Sequence, residues 1–477
     1  MAEKYFQQSY WSGGLSESEL LGPKGSFSKS FGVDIHETPG AIKAAYAPTK
    51  ESAGTVTDLC TFAIDASDGN SYWFSDKGTI YKRTSGGAWG TVYKEVLITA
   101  IKGAAEFEGN LYWVAGGTIR KKIFPGAGDW TDVTLNWGTI SSTTYHPILD
   151  VGLYLLIGGN TTIDSIDSST GTLTKGGITS VTLAELPSTY AITSLIKYGI
   201  DILVGTSVSG AGLNTKLLRW DLASPTWTQD IDVPEDKINS ILLTNNRVFL
   251  QAGSLGKIYE YNGTDVIPFR TLASGQTAKT YSPQSVANYK GVGYFGITDT
   301  NAATLPGLYA LGRKNTSYPV SLCHQFVPSP EAVNDLRVGA MLSGYDTSDN
   351  EFLLFAWQHS TGTFGVDKLG TSRYNGAYVE TQAIDGNPQK QKTFGNYVVS
   401  YKALPANTNI SCEYYKNFAS GTSGVISLTN KSDYNNMVSN AKIEAGAMKF
   451  KLILGTDGSD TPEISSFYCD FNEKSVL

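Results

Sequence analysis

Histidine and cysteine are the residues whose spacing would reveal metal or thiol chemistry. The chain has four of each: His36, His146, His324, His359, Cys60, Cys323, Cys412 and Cys469. None of them stands at the spacing of a zinc motif. Cys412 and Cys469 both fall on predicted strands near the end and could be spatial neighbours, but two buried, reduced thiols are the favoured interpretation. We therefore predict no metal ligand and no cofactor-binding residue.

Three turns rich in acidic residues raise the question of calcium. They are DASDGN (65–70), DTSDNE (346–351) and TDGSD (456–460). Each lacks the alternating ligands and closing Glu of an EF-hand loop, and Asp, Asn and Gly are what β-turns require. We therefore predict that these three segments form β-turns and are not calcium-binding loops.

Catalytic motifs are not found in the sequence. There is no G-x-S-x-G elbow, and the Gly-Gly pairs lack the Lys-Ser/Thr of a phosphate-binding loop. Glycoside hydrolysis stays open as an alternative. If the chain folds as a β-propeller, which the internal repeat described below predicts, two carboxylates from distant blades could lie close together. We predict a protein that is not an enzyme and has no catalytic residues.

Composition points to an all-β protein. The 477 residues include 51 Gly, 9 Trp, 27 Tyr and 19 Phe, as expected for many short strands and tight turns. The 37 basic and 44 acidic residues give a net charge of −7 and form no long block of one sign. This distribution argues against nucleic-acid binding or a membrane surface. No apolar run has the length of a signal peptide or membrane span, so synthesis in the cytoplasm without a signal peptide is expected.

A weak internal repeat indicates the architecture. The segment at 68–92 (DGNSYWFSDKGTIYKRTSGGAWGTV) and that at 108–133 (EGNLYWVAGGTIRKKIFPGAGDWTDV) share the same order of turns and strands. Five later segments keep the pattern. The strand centres are Trp73, Trp113, Leu155, Leu203, Phe249, Phe295 and Leu354. Their spacing of 40 to 59 residues suits one four-stranded blade each, so we predict a propeller, with seven blades, over residues 41–382.

The two ends of the chain follow other patterns. The polar stretch GNPQKQKT (386–393) precedes five strand candidates with alternating apolar residues, such as KFKLILGTD. These predict a small C-terminal β-sandwich over residues 383–477. Residues 1–40 fit neither unit and are predicted to form an N-terminal arm. Its apolar residues Phe6, Tyr10, Trp11 and Leu15 are the candidate assembly interface, with an outer strand of the propeller as the alternative role for the arm.

The two ends also carry a resemblance to a known group of proteins. SYWSGGL (9–15), GPKGSFSKSFGVDI (22–35), TPG (38–40) and LILGTDGSDTPEISSFYCDF (452–471) resemble virion proteins of tailed bacteriophages. The resemblance implies a structural component of the tail, neck or capsid vertex, located in the virion. Its implied partners are other virion proteins and further copies of the chain. A host receptor or glycan adhesin, and then a propeller glycoside hydrolase, are the alternative functions.

Overall fold

The computed structural model describes most of the chain. The described residues are 4–18, 20, 22–96, 99–124, 130–210, 212–272, 282–298, 305–313, 315–329, 336–346, 348–359, 362–385 and 390–473. Their regular structure is β-strand, apart from two single 3-10 turns at Trp130–Asp132 and Ser432–Tyr434. The predicted all-β class is therefore confirmed.

Seven short strands precede the propeller sheets. They are β1 Lys4–Gln8, β2 Gly14–Leu15, β3 Ser26–Phe27, β4 Lys29–Phe31, β5 Val33–Asp34, β6 Lys43–Ala44 and β7 Tyr46–Lys50. β2 pairs with β3 and β5 pairs with β6, whereas the other three strands join sheets built from later parts of the chain.

Six antiparallel sheets of four consecutive strands follow. Blade 1 comprises β8 Cys60–Asp65, β9 Ser71–Ser75, β10 Thr79–Arg83 and β11 Trp89–Lys94; blade 2, β12 Ile101–Phe107, β13 Asn110–Ala115, β14 Thr118–Ile123 and β15 Thr134–Thr139; blade 3, β16 Ile148–Asp150, β17 Tyr154–Gly158, β18 Ile163–Asp167 and β19 Leu173–Thr174. A hairpin of β20 Gly177–Ile178 and β21 Val181–Thr182 comes next. Blade 4 comprises β22 Tyr190–Tyr198, β23 Asp201–Val208, β24 Thr215–Trp220 and β25 Gln229–Val233; blade 5, β26 Ile238–Thr244, β27 Arg247–Ala252, β28 Lys257–Tyr261 and β29 Val266–Thr271; blade 6, β30 Val286–Tyr289, β31 Val292–Ile297, β32 Gly307–Gly312 and β33 Ser321–Phe326.

Blade 7 closes the ring with a strand from the other end of the propeller. It contains β34 Leu336–Tyr345, β35 Glu351–His359 and β36 Phe364–Arg373, and β7 pairs with β36 as its outermost strand. Immediately after β7, the Glu51 carboxylate accepts hydrogen bonds from Arg83 (2.6 and 2.8 Å) and from the Trp89 indole (3.1 Å) of blade 1. Backbone pairing thus completes blade 7 with the strand that precedes blade 1, and the Glu51–Arg83 ion pair links that strand's end to blade 1.

The seven predicted strand centres all lie in the second strands of the blades. Each of these side chains is fully buried, because blades packed side by side cover both faces of each sheet. The predicted tight turns are also present, since Asn245 and Asn246 have φ of 52° and 59° and Glu108 has φ of 47°. Positive φ at such positions matches the twist of a two-residue hairpin. The predicted seven-bladed propeller is confirmed.

Nine further strands follow the propeller. They are β37 Ala377–Glu380, β38 Lys392–Ala403, β39 Asn409–Lys416, β40 Gly424–Ile426, β41 Thr429–Lys431, β42 Asn436–Ser439, β43 Ile443–Ala445, β44 Met448–Gly455 and β45 Glu463–Glu473. One sheet has the order β1-β45-β38-β42-β41, with β43 also on β38, and the other has the order β4-β37-β44-β39-β40. Phe450, Leu452 and Leu454 are buried between them, as the alternation predicts. The predicted C-terminal β-sandwich is therefore present, but it also contains β37, which precedes the predicted start at residue 383, and the N-terminal strands β1 and β4.

The predicted N-terminal arm is not a separate unit. β1 pairs with β45 from Lys4↔Phe471 to Gln8↔Phe467, and β4 pairs with β37. The described residues of the first forty therefore complete the sandwich instead of extending from the protein. The physical reason is that β45 and β37 would otherwise present unpaired edges, which proteins cover wherever a strand is available.

The sandwich and the propeller share one apolar core. β33, the outer strand of blade 6, is buried along its whole length beneath β2, β4 and β5. Trp11, Phe27 and Val33 belong to the same cluster as Leu322 of β33 and Phe394 of the sandwich. Of the predicted linker, residues 386–389 lie outside the described residues, and Lys392 is a fully buried residue of β38. The N-terminal segment thus joins the two units.

Candidate functional site at the mouth of the propeller channel

The first strands of the blades surround the axis of the propeller. A cavity of about 180 Å³ lies among them, lined by residues such as Phe62, Ala104, Ile148 and Ile241. Gln284, just before β30, spans this space: its amide nitrogen donates to the Ala63 carbonyl (2.5 Å), and its amide oxygen accepts from the Ala63 N–H (2.7 Å). The Gln284 carbonyl accepts from Met341 of blade 7. One side chain therefore connects blades 6 and 1 across the axis.

A second, larger cavity opens where the first strands begin, and we call it the mouth cavity. Its volume is about 340 Å³, and its lining includes Asp76, Lys102, Tyr145 and Arg337. The first strands of blades 1, 2 and 7 each have a register shift at this end, between Cys60 and Phe62, Ile101 and Gly103, and Val338 and Met341. Such bulges re-aim side chains at the rims of closed sheets. Asp76 comes from the turn between β9 and β10.

Three cations stand at or near the mouth cavity. Lys102 donates to Ser142 Oγ (3.2 Å) and to the Thr143 carbonyl. The Lys237 ammonium lies 5.5 Å from the centre of the Tyr145 ring, and burial lowers the pKa of Lys237. Within the described ranges, no carboxylate lies at ion-pair distance from Lys237 or Arg337. Arg337 is nevertheless solvent-exposed and acts to lower the pKa of Asp76, and the charge of Asp236 opposes the lowered pKa of Lys237, so neither cation is electrostatically isolated.

Asp76 is the one carboxylate among the described lining residues. Its Oδ1 is buried without a hydrogen-bond partner. Burial raises the pKa of Asp76, as does the charge of Asp58, whereas Lys77 and Arg337 oppose the shift. Asp58 itself accepts hydrogen bonds from Thr79 Oγ1 (3.0 Å) and the Tyr81 hydroxyl (2.9 Å). The Asp58 carboxylate therefore accepts hydrogen bonds within blade 1. Among the described lining residues, Asp76 is the carboxylate with an oxygen that has no hydrogen-bond partner.

The predicted assembly residues lie elsewhere, against the chain's own sandwich and blade 6. The Phe6 ring packs 6.3 Å from that of Phe467, and the half-buried Tyr10 ring lies beneath the Lys24 ammonium at 5.5 Å. Trp11 and Leu15 are buried in the shared core. The structure therefore gives all four residues partners within the chain. Trp11 and Leu15 are thus buried within the single chain, and the assembly interface of Phe6, Tyr10, Trp11 and Leu15 stays a prediction.

Sequence reasoning missed the mouth residues because they come from different blades. Lys102, Lys237 and Arg337 are far apart in the chain, and only closure of the ring brings their strand starts together. A signal was present, however. A basic residue stands at the start of three apolar first strands, in IKGAAEF (101–107), KINSILL (237–243) and LRVGAML (336–342).

The predicted turns and thiols are found as expected. Asp68, Asp346 and Asp457 each accept backbone N–H groups of their own turn, with distances of 2.7 to 3.0 Å. Among the described residues, no group of three or more metal-ligating side chains occurs.

The four cysteines are buried and free, and burial raises the pKa of their thiols. Cys412 and Cys469 are close enough for one to affect the pKa of the other.

The chain matches no protein-family model and no curated protein sequence. Similar solved structures include the WD40 β-propeller domain of Doa1, with 11% identity and a TM-score of 0.45 over 68% of this chain and 97% of that one. YCF48 bound to D1 peptide has 11% identity and a TM-score of 0.46 over 68% and 96%. The extracellular domain of the hybrid two component system BT4673 from B. thetaiotaomicron has 16% identity and a TM-score of 0.46, and the match covers 75% of this chain but only 44% of that domain. These structural similarities concern the fold alone.

In the part of this chain that is described, no helix has the length and apolar character needed to cross a membrane.

Proposed function

We propose that this chain is a non-enzymatic structural component of a bacteriophage virion, acting through contacts with other virion proteins and with further copies of itself. The observation that carries the proposal is the shared core between propeller and sandwich. Trp11, Phe27 and Val33 lie between β33 and the sandwich sheets, so the two units are held in one orientation. A part that must fix the position of its neighbours in a particle needs this rigidity, and the resemblance of the chain ends to virion proteins supports the same role.

Exposed apolar residues suggest which surface makes the contacts. At the face of the propeller opposite the mouth cavity, where first and third strands end, four large apolar side chains are exposed: Ile123, Leu153, Ile200 and Tyr345. These four residues belong to blades 2, 3, 4 and 7, and we propose that they contribute to contact with a protein partner. This surface is proposed in addition to the predicted N-terminal interface.

Mass spectrometry of purified particles tests the proposal, with the chain expected among their constituents. In the double variant Leu153→Asp/Ile200→Asp we expect loss of incorporation with an unchanged melting temperature. Val96→Asp is the matched control, because Val96 is as exposed as Ile200 but lies at the mouth end of blade 1. Absence of the wild-type chain from particles, or equal incorporation of both variants, would contradict the proposed role.

The non-enzymatic part of the proposal has its own test. Purified protein is incubated with bacterial surface polysaccharides and assayed for new reducing ends. We expect no release above that of a heat-denatured sample, and reproducible turnover would show that the chain is a glycoside hydrolase.

A further inference from the structure

The strand β1 lies at one end of the first sandwich sheet. Within the described ranges it pairs with β45 alone, from Lys4↔Phe471 to Gln8↔Phe467. Lys4, Tyr5 and Gln7 are exposed and Phe6 is half-buried, so most of the strand is open to solvent. The backbone N–H and C=O groups along the outer edge of such a strand can pair with a further strand.

This edge lacks the protection that the other outer strands of the sandwich have. Natural proteins shield free edges with very short strands, with lysine or with a covering segment. β40 and β41 have three residues each, and β41 ends in Lys431, whereas β4 packs against β33 of blade 6. β1 has five residues, and Glu473 neutralises the charge of its only lysine at a distance of 2.6 Å. β1 is therefore the outer strand best suited to pair with another chain.

Aromatic rings lie on both faces of β1. On the outer face, Tyr5 is 65% exposed and stacks on Tyr468, with 5.8 Å between the ring centres. On the inner face, the half-buried Phe6 ring lies 6.3 Å from that of Phe467, where the sheet ends. A strand added beside β1 would cover both rings, and buried aromatic side chains contribute much of the binding energy of protein interfaces.

The sequence of β1 is compatible with pairing to its own copy. Antiparallel pairing about a twofold axis makes each contact occur twice, because residue i faces residue j and j faces i. With the axis at Phe6, Lys4 faces Gln8 and Tyr5 faces Gln7 across the interface. An axis at Tyr5 also keeps the two lysines apart, since Lys4 then faces Phe6. No like charges are opposed, and each Lys4 keeps its own Glu473 partner.

We propose that two copies of the chain pair their β1 strands antiparallel, which joins two six-stranded sandwich sheets into one continuous sheet. This interface is separate from the apolar face of the propeller proposed above. It rests on the self-association part of the proposed function and deepens it by naming the surface. Because one five-residue strand per chain forms a small interface, we expect a weak dimer.

Sedimentation velocity of the full chain, from about 1 μM to 1 mM, tests the proposal. We expect reversible dimerisation of the wild type that depends on concentration. Tyr5→Lys/Gln7→Lys places like charges at opposed positions and should weaken dimerisation at least about tenfold. Tyr5→Glu/Gln7→Glu should do the same. An equimolar mixture of the two variants should dimerise again, because each opposed pair then carries opposite charges.

The matched control is Thr429→Lys at the opposite edge of the same sheet. Thr429 and Lys431 are exposed residues of β41 at the spacing of Tyr5 and Gln7, so this substitution creates the same pair of lysines on the other outer strand. We expect it to dimerise like the wild type. Melting curves at low concentration exclude unfolding as the cause of any loss.

Four results would overturn the proposal: a monomeric wild type throughout the concentration range, wild-type dimerisation of Tyr5→Lys/Gln7→Lys, no dimer in the equimolar mixture, or equal loss in Thr429→Lys. Incorporation into particles is measured separately by mass spectrometry. A monomeric chain that is found in particles would therefore contradict this proposal alone, and a dimeric chain that is absent from particles would contradict only the virion role.

Discussion

Replacement of Trp11 distinguishes an arm that reaches a partner from a segment that holds the chain together. Trp11 has no solvent exposure and lies in the core between blade 6 and the sandwich. Truncation of a buried Trp to Ala costs about 3–5 kcal/mol. At about 2–4 °C per kcal/mol for a unit of this size, the melting temperature of Trp11→Ala should fall on the order of 10 °C.

Two matched variants sharpen this prediction. The Trp11 indole N–H is buried without a hydrogen-bond partner, so Trp11→Phe removes an unsatisfied donor together with part of the ring. We expect it to cost much less than Trp11→Ala, because the lost apolar contact is offset by relief of the unpaired N–H. Tyr5→Ala is the surface control, since Tyr5 is 65% exposed on the same segment, and its cost should stay below about 1 kcal/mol.

Thermal unfolding followed by circular dichroism, with light scattering to record the oligomeric state, is the assay. Trp11→Ala could instead melt within about 1 °C of the wild type and lose self-association. Burial of Trp11 in the shared core would then not be what stabilises the N-terminal segment. The sequence-based prediction of an intermolecular anchor would then be correct.

The remaining predictions concern pH, the channel and the thiols. Burial lowers the pKa of His146 and of His324 from 6.5 to about 4, and the Gly32 N–H donates to Nδ1 of His324. Stability should therefore be complete above pH 6.5 and decline as the pH falls towards 4, by about 3 kcal/mol for each histidine; melting curves of His146→Gln/His324→Gln should show a flatter decline, and an unchanged slope would assign it to other groups. Gln284→Ala leaves the Ala63 N–H and C=O unpaired, which should cost about 2–4 kcal/mol in urea unfolding, and an unaltered midpoint would mean that water replaces the amide. Ellman's reagent should leave the native thiols unmodified and react with four in denaturant, and fast native reaction would show that one of them is exposed.

Local patterns in the sequence determined the propeller and the sandwich. A buried second strand needs a long apolar run between turn residues, and this requirement recurs in each blade around residues such as Trp73 and Phe249. Hairpin turns are local as well, because the positive φ of Asn245 and Asn246 depends on those residues themselves. The alternation in β44 likewise shows which side of the strand faces the core.

Tertiary structure alone decided where the chain ends go and where the mouth cavity forms. β7 in blade 7 and β1 beside β45 pair across several hundred residues, and a strand's own sequence does not specify which distant edge it will cover. The same holds for Trp11: its apolar character predicted burial, but burial against a partner and burial within the chain are identical in sequence. Asp76, Lys102 and Arg337 converge only because seven sheets close into a ring, so their common cavity is a property of the closed propeller.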